Sequence, residues 1–236
     1  MNLVETKLSK IQAKTILDVA SGAGNFIKFL KKQLNGKPNF WAIDNNEKAI
    51  AYLKKHSGSE IIAIKMEAEN MNFPDLSFDA VTMQYSLHHL EQIEKTINEM
   101  LRVLKPDGYL IINEMFHDKN QTNAQKNHTG IHHWIAEINQ LEGIFHRKTF
   151  SKEQIEAIFK KYKFKDINFI EFTYQNPDPK NPKLIERYIK SIDNKIAYLE
   201  ENHHKSNLIN KGEELKNRLN KFGYSPCTSL YIFAKK

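Results

Sequence analysis

The chain lacks features that would place it outside the cytoplasm. Only one of its 236 residues is a cysteine, Cys227, so it cannot form an intramolecular disulfide. The first residues lack the apolar stretch of a signal peptide, and no apolar run is long enough to cross a bilayer. We therefore expect a cytoplasmic protein that has no membrane partner.

Positive and negative charges are distributed unevenly along the chain. The net charge is +7, but residues 1–144 hold 16 Lys/Arg and 17 Asp/Glu, whereas residues 145–236 hold 19 and 11. A basic face can attract nucleic acid. Lysine-rich helices are usually solvated surfaces, however, and no recognised RNA-binding module is present. Nucleic acid is therefore not the favoured partner.

Length and composition limit the architecture. A chain of 236 residues with 40% hydrophobic content can bury one sizeable core. We predict a single domain over residues 1–236, with a helical insertion at 118–149 and a helical hairpin at 177–223.

What the chain does have is a strand, a small-residue loop and a helix near its N-terminus. A buried strand around Leu17 leads into the loop at 20–24, and an amphipathic helix follows from Phe26. Glycines in such a loop let a ligand approach the backbone, and the helix N-terminus offers unpaired N–H groups. This unit predicts a ligand site.

Two residues distinguish between the candidate ligands of this loop. A dinucleotide site has a third glycine where Ile27 stands, and Asp18 places a carboxylate just before the turn. A carboxylate suits a ligand with a cationic head and no phosphate, and S-adenosylmethionine has an ammonium and a sulfonium. The alternative is a dinucleotide-dependent oxidoreductase.

A second acidic residue supports this interpretation. The apolar run at 40–43 ends in Asp44, about twenty residues beyond the loop. An acidic residue there can accept hydrogen bonds from ribose hydroxyls. The alternative is that Asp18 and Asp44 only end strands or cap helices.

Several stretches carry a family resemblance: 18–26, Asp44, 66–74, 77–90 and 102–110. They resemble the successive motifs of class I S-adenosylmethionine-dependent methyltransferases, closest to the branch of ubiquinone/menaquinone-biosynthesis C-methyltransferases. The resemblance covers about residues 14–116, with weaker similarity at 150–173 and 224–235. It departs at Ala20, where the family most often has glycine.

The resemblance implies a fold and a reaction. The fold is α/β and Rossmann-like, with a seven-stranded, mostly parallel sheet whose last strand is antiparallel, and with helices on both faces. The apolar stripes of the helical insertions predict a lid, with a dimerisation element or packing on their own domain as the alternatives. The reaction is transfer of a methyl group from S-adenosylmethionine to a small-molecule acceptor by in-line displacement, which leaves S-adenosylhomocysteine.

The predicted cofactor site gathers residues from four strand ends. By resemblance, Glu67 and Ala68 contact the adenine; the alternative is that Glu67 is an ordinary exposed carboxylate. The full predicted set is Asp18, Ala20, Ser21, Gly22, Gly24, Phe26, Asp44, Asn45, Glu67, Ala68, Gln84 and Tyr85.

Two methylation chemistries are excluded. Methylation of exocyclic amines in nucleic acid uses an Asp/Asn-Pro-Pro-aromatic sequence where this chain has Met-Gln-Tyr-Ser at 83–86. Methylation of pyrimidine C5 needs a cysteine nucleophile near the site, and Cys227 lies in the last predicted strand. RNA or protein methylation by another route, and an inactive cofactor-binding protein, stay open. So do the accepting atom (C, N, O or S) and the choice between monomer and homodimer.

Histidines are the candidate general bases, because their charge changes near neutral pH. His88 comes first because it follows the fourth strand, and the others belong to a group in or beside the first insertion that also includes His146. His128 and His132 have a chelating spacing, but no further ligand motif accompanies them, so no metal is predicted. The alternative is a solvated or hydrogen-bonded helix face. The predicted catalytic set is His88, His117, His128, His132 and His133.

Overall fold

The computed structural model describes residues 2–58, 60–202 and 206–236. The chain divides into two compact units. The first, called the sheet unit, comprises Met1–Glu114, Glu156–Glu171 and Leu230–Lys236. The second, called the helical unit, comprises Met115–Ile155 and Phe172–Ser229. The predicted arrangement as one domain stays a prediction.

The sheet contains seven strands within the described ranges, in the order β3-β2-β1-β4-β5-β7-β6. The pairs β1–β2, β1–β4, β2–β3 and β4–β5 are parallel, and the last strand is antiparallel. This confirms the predicted fold class. The strands are β1 Thr15–Val19, β2 Asn39–Asp44, β3 Ile61–Lys65, β4 Phe78–Gln84, β5 Leu104–Met115, β6 Asp166–Phe172 and β7 Ser229–Lys235.

The α-helices in the part of the chain described here follow the predicted apolar patterns. For example, α2 buries Phe26, Ile27 and Leu30 on one face. Their bounds are α1 Leu3–Leu8, α2 Asn25–Gln33, α3 Glu47–His56, α4 Ile93–Val103, α5 Asn123–Leu141, α6 Lys152–Lys160, α7 Pro182–Glu201 and α8 Ser206–Phe222. Among them, none is long and apolar enough to cross a membrane.

Strand β5 starts earlier than the sequence predicts. A turn at 105–108 followed by a strand from Tyr109 is the expectation, but Leu104 already pairs with Phe78. The next pair is Ala80 with Tyr109, so four residues of β5 bulge out opposite one residue of β4. The turn-forming residue Asp107, at φ 61°, bends this bulge instead of ending a separate element.

The helical unit is built on α5, α7 and α8, so helices occupy both predicted insertions. Helix α5 starts at Asn123, five residues into the predicted insertion at 118–149, because Thr122 and Gln125 form a capping box. Trp134 donates from Nε1 to the carbonyl of Leu208 over 2.8 Å. The core comprises Ile131, Trp134, Ile138, Ile185, Ile192, Ile196, Leu199, Leu208, Leu215, Leu219 and Tyr224. The lid role stays a prediction.

Candidate functional site

The candidate cofactor site lies at the carboxyl edge of the central strands. Val19 of β1 is aligned with Ile43 of β2 and with Met83 of β4. The residues that follow these three positions therefore emerge side by side at one edge of the sheet. This edge is where open parallel sheets bind ligands.

The loop after β1 has an unusual backbone held by hydrogen bonds. Ala20, Gly22 and Gly24 have φ angles of 54°, 50° and 75°, all in the left-handed region. The Ser21 N–H donates to the carbonyl of Ile43 over 3.0 Å, and its hydroxyl donates to the Asp18 carbonyl over 2.7 Å. These bonds fix the loop against β1 and β2.

The two loop glycines are required for different reasons. A Cβ added to Gly22 would meet no atom within 4 Å, so the space beside its backbone is open. A Cβ on Gly24 would lie 2.5 Å from Leu53 Cδ2 on α3, which is too close. Gly24 therefore permits close packing of the loop on α3, whereas Gly22 leaves room for a ligand.

Asp44, at the end of β2, contacts this loop directly. One carboxylate oxygen accepts from the Gly22 N–H over 2.8 Å, and the other accepts from the Asn46 N–H over 2.8 Å. Each oxygen can accept a further hydrogen bond. The carboxylate is thus positioned beside the open space and can bind a pair of hydroxyl groups.

Asp18 lies beneath the loop and is almost completely buried, with 1% exposure. Burial raises its pKa from 3.8 to about 7; the hydrogen bond from Thr82 Oγ1 to Asp18 Oδ1, 2.6 Å long, opposes this rise, and the charge of Asp44 adds to it. A nearby cation would favour the ionised form. Sequence reasoning missed Thr82, although it lies opposite Asp18 in the β1–β4 register.

The predicted adenine-contacting residues follow β3. Asn45 Nδ2 donates to Glu67 Oε2 over 3.2 Å, which joins the segments after β2 and β3. Glu67 is exposed and Ala68 is partly buried. The exposed carboxylate fits both the adenine role and the ordinary loop role, so the adenine role stays a prediction.

The segment beyond Ala68 is held by Arg102 of α4, whose role sequence reasoning missed. The guanidinium donates to the carbonyls of Met71 and Phe73 over 2.7 and 2.8 Å. It also pairs with Glu99 and holds the pKa of Glu99 below its usual range. Glu99 in turn accepts a hydrogen bond from the Met71 N–H over 2.8 Å. Arg102 therefore positions the loop that carries the predicted adenine contacts.

The residue that follows β4, Tyr85, also has a left-handed backbone. Gln84 pairs with Asn113 of β5, and Tyr85 has φ 50° with its N–H bonded to the Asn113 carbonyl over 2.8 Å.

Phe26 differs from the other predicted cofactor residues. Its ring is buried, with centroids 6.2 Å from Phe29 and 6.5 Å from Tyr231, so only its backbone remains a predicted cofactor contact.

His88 forms a buried pair with Glu114 of β5. Their Nδ1 and Oε1 atoms are 2.8 Å apart, and Glu114 Oε2 accepts from the Leu87 N–H over 2.8 Å. A carboxylate accepts only, so Nδ1 carries a proton and Nε2 is the atom that can act as base when the ring is neutral. Glu114, which the sequence analysis did not select, thus orients His88.

The other predicted histidines belong to the helical unit. His117 Nδ1 lies 2.9 Å from the Thr149 carbonyl, and His133 Nε2 lies 2.7 Å from the Thr149 hydroxyl. These contacts are hydrogen bonds within the unit. The base role of His117 and His133 stays a prediction.

His128 and His132 each have a contact with a different residue. His128 Nδ1 accepts from the Cys227 N–H over 3.0 Å, whereas His132 Nε2 lies 3.2 Å from His146 Nε2. Burial lowers the pKa of His128 from 6.5 to about 4. These contacts tie His128 to the fold of the unit, and its base role stays a prediction.

Comparisons with known proteins agree with this geometry. Residues 17–112 match the family model of a methyltransferase domain. The chain is 33% identical over 102 residues to the ubiquinone/menaquinone biosynthesis C-methyltransferase UbiE of Paraburkholderia phytofirmans, and 29% identical to UbiE of Laribacter hongkongensis. Each match spans 42% of this chain and 42% of the relative.

Solved structures extend the similarity of the fold. A SAM dependent methyltransferase from Archaeoglobus fulgidus has a TM-score of 0.58 and 19% identity, covering 99% of this chain and 93% of that one. A SAM dependent methyltransferase from Aquifex aeolicus has a TM-score of 0.51 and 21% identity, covering 70% and 79%. The chain has the class I methyltransferase fold. Residues 17–112 match a methyltransferase domain and are similar in sequence to UbiE, which agrees with the resemblance of the motifs.

Proposed function

We propose that this protein transfers a methyl group from S-adenosylmethionine to a small-molecule acceptor. The observation that carries the proposal is the contact between Asp44 and the Gly22 N–H beside an open space, inside the matched domain. Ile27, where a dinucleotide site has its third glycine, is fully buried in α2. The arrangement therefore favours the adenosyl ligand over a dinucleotide.

The donor set of the site fits this cofactor. Asp44 would accept from the ribose hydroxyls, the backbone at Gly22 would lie against the amino-acid tail, and Asp18 would provide a negative charge for its ammonium. Glu67 and Ala68 would contact the adenine. When bound, S-adenosylmethionine supplies an activated methyl group and a neutral thioether leaving group.

We propose that His88 holds the proton that an acceptor loses. Its Nε2 would take this proton, while Glu114 accepts the hydrogen bond from Nδ1 and stabilises the imidazolium. The pair is buried, with 1% and 0% exposure, so water competes poorly for the transferred proton. A carbon acceptor beside a phenol or enol, or an oxygen or nitrogen acceptor, would use this base.

The acceptor is proposed from the relatives only at the level of its class. UbiE acts, by its name, in the biosynthesis of ubiquinone and menaquinone. Since the match covers less than half of the length of these relatives, we infer that residues outside 17–112 select the acceptor. The histidine-bearing segment of α5 and the α7–α8 hairpin are the candidates.

The RNA or protein alternative rests on the basic C-terminal third. Several lysines there pair with carboxylates, among them Lys211 with Glu137 at 2.6 Å and Lys216 with Asp193 at 2.7 Å. These pairs reduce the positive charge that is available to a polyanion. Salt-sensitive retention of bulk RNA on a filter would support the alternative.

Calorimetric titration tests the proposal. We expect S-adenosylmethionine and S-adenosylhomocysteine to bind in the micromolar range, and NAD(H) and NADP(H) not to bind. Asp44→Ala should weaken binding by about 1–3 kcal/mol, because it removes charge-assisted hydrogen bonds. Glu47→Ala, which removes an exposed carboxylate from the first turn of α3, is the control.

Two results would contradict the assignment. The first is the absence of binding by both adenosyl ligands, which would remove the cofactor. The second is unchanged affinity in Asp44→Ala, which would remove only the ribose contact. Transfer of a labelled methyl group in an acceptor screen then tests His88→Gln, which should lower kcat more than it changes KM for the cofactor.

A further inference from the structure

Two imidazoles of the helical unit face one another. His132 lies on α5, and His146 lies in the segment that follows this helix. Their Nε2 atoms are 3.2 Å apart, and their rings are nearly perpendicular, with centroids 4.8 Å apart. His146 is 3% exposed and His132 is partly buried. The pair is therefore sheltered within the unit.

The distance between the two Nε2 atoms matches that between two ligands of one metal ion. Zinc binds histidine nitrogen at about 2.0–2.1 Å, so two nitrogens of a tetrahedral site are about 3.3 Å apart. The observed 3.2 Å agrees with this value to about a tenth of an ångström. An ion could bind both nitrogens with little movement of either ring.

The surroundings of His146 provide the support that a metal ligand needs. Its Nδ1 lies 2.8 Å from the side-chain amide of Asn139, and its carbonyl accepts from Gln140 Nε2 over 2.8 Å. The amide oxygen and nitrogen of an asparagine are interchangeable by a flip of the group, so Asn139 can accept from Nδ1–H. The amide nitrogen, Nδ2, faces Nδ1 here; with the amide flipped, its oxygen accepts from Nδ1–H and fixes the tautomer whose Nε2 binds metal.

We propose that His132 and His146 form a binding site for a divalent transition-metal ion, with Zn²⁺ as the representative. Imidazole suits zinc, copper and nickel, whereas magnesium and calcium prefer oxygen ligands. The two nitrogens supply two ligands, and the remaining coordination positions go to water or to further donors. This proposal does not depend on methyl transfer.

The competing explanation is a hydrogen bond between the two rings, with one Nε2–H donating to the other Nε2. The two explanations differ in what each predicts for added metal. A ring-to-ring hydrogen bond gives no saturable metal binding, whereas the metal site binds one equivalent, and the proton between the two Nε2 atoms moves to Nδ1 of the donating ring. Because both Nε2 atoms must be deprotonated to bind metal, zinc affinity should fall at acidic pH, where protons compete for the imidazoles.

The test uses the full chain after treatment with a chelator. Zn²⁺ alone is titrated by calorimetry, and Cu²⁺ is followed by electron paramagnetic resonance, which detects coordinating nitrogens. We expect one equivalent of Zn²⁺ to bind in the micromolar range. His132→Gln and His146→Gln should each weaken binding by about tenfold or more and each remove one nitrogen from the copper spectrum.

Matched controls separate this site from other histidines. His56→Gln changes an exposed ring on α3 of the sheet unit and should leave the affinity within about twofold of the native value. A variant with His203 and His204 both changed to Gln removes two histidines that lie outside the described residues, and it should also keep the affinity.

Three outcomes would overturn the proposal. They are no saturable Zn²⁺ binding up to about 100 µM, unchanged affinity in both His132→Gln and His146→Gln, and loss of binding only in the His203/His204 variant. If a glutamine variant fails to fold by circular dichroism, His132→Asn and His146→Asn replace it. A copper spectrum of the native chain that shows no coordinating nitrogens would contradict the site without any variant.

Discussion

Each unit buries a titratable side chain, and burial favours the neutral form of both. In the sheet unit, Asp18 lies under the loop and its pKa is raised to about 7. In the helical unit, His128 is packed against Tyr224 and its pKa is lowered to about 4. His128 already accepts a backbone hydrogen bond from Cys227, whereas Asp18 can gain stabilisation from a cation. We therefore propose that Asp18 serves ligand binding, whereas the contacts of His128 serve the fold.

The largest predicted effect tests whether the loop of the sheet unit is the ligand site. Gly22→Val places a side chain in the open space beside the loop, so it should lower S-adenosylmethionine affinity by more than about 100-fold. The left-handed backbone adds a stability cost of about 1–2 kcal/mol. Calorimetry and urea denaturation measure the two effects separately.

Gly36→Val is the matched control for this loop. Gly36 also has a left-handed backbone, with φ 93°, and a Cβ there would meet no atom within 4 Å. Gly36→Val should lower the free energy of unfolding by a similar amount and should leave the affinity for S-adenosylmethionine unchanged. Equal losses of affinity in Gly22→Val and Gly36→Val would mean that strain, and not obstruction of the ligand, explains the effect.

The second-largest predicted effect is a pH dependence of the free energy of unfolding that Asp18 causes. Below its unfolded pKa of 3.8 both states are protonated; as the pH rises toward 7, only the unfolded state ionises. The free energy of unfolding therefore falls by up to about 1.4 kcal/mol per pH unit in this window. Asp18→Asn removes this loss and should be more stable than the native chain at pH 8.

Urea denaturation at pH 4, 6 and 8 checks this prediction. The stability difference between Asp18→Asn and the native chain should grow across the series, while the variant binds S-adenosylmethionine more weakly at pH 8. Asp166→Asn removes an exposed carboxyl and controls for the lost charge. A stability difference that does not change with pH would contradict the burial of an ionisable Asp18.

The helical unit should show the opposite pH dependence. His128 has a folded pKa of about 4 against 6.5 unfolded, so its contribution is present above pH 6.5 and is lost as the pH falls toward 4. His128→Asn keeps an acceptor for the Cys227 N–H but loses the ring contact with Tyr224. It should be less stable than the native chain at pH 8, and this deficit should shrink at pH 5.

The same denaturation series measures this effect. The window of His128 is narrower than that of Asp18, so the change should be smaller. A deficit that is equal at pH 8 and pH 5 would show that His128 titrates in the folded protein as it does in the unfolded chain. His56→Asn, on the surface of the sheet unit, provides the control for a lost imidazole.

The sequence predicts the two regions unequally for a physical reason. In the sheet unit, Gly22 and Asp44 are found by local spacing, because a parallel sheet brings consecutive strand ends to one edge. Thr82, which supports Asp18, and Arg102, which supports the segment after β3, are missed because their contacts cross between strands or reach from α4 to a loop. Motif spacing does not encode such side-chain pairings.

In the helical unit the relevant partners are separated in the chain. The i, i+4 spacing selects His128 and His132, but the chain reversal after α5 pairs His132 with His146. His128 finds its partner at Cys227, 99 positions away. Helix periodicity predicts which residues share a face, and it does not predict which segment packs against that face.

The smallest predicted effect concerns Ala20, where the loop departs from the methyltransferase motif that it resembles. Ala20 adopts φ 54°, and a left-handed alanine costs roughly 1–2 kcal/mol. Ala20→Gly removes this cost and adds back about 0.5–1 kcal/mol of backbone entropy lost on folding. We expect a net stabilisation of less than about 1 kcal/mol.

Ala23→Gly, in the same loop, is the control: it changes an exposed alanine that is not left-handed and should lower the stability of the protein. Opposite signs for the two variants in urea denaturation would establish strain at Ala20; a loss of stability in both would show that the loop tolerates alanine there without cost.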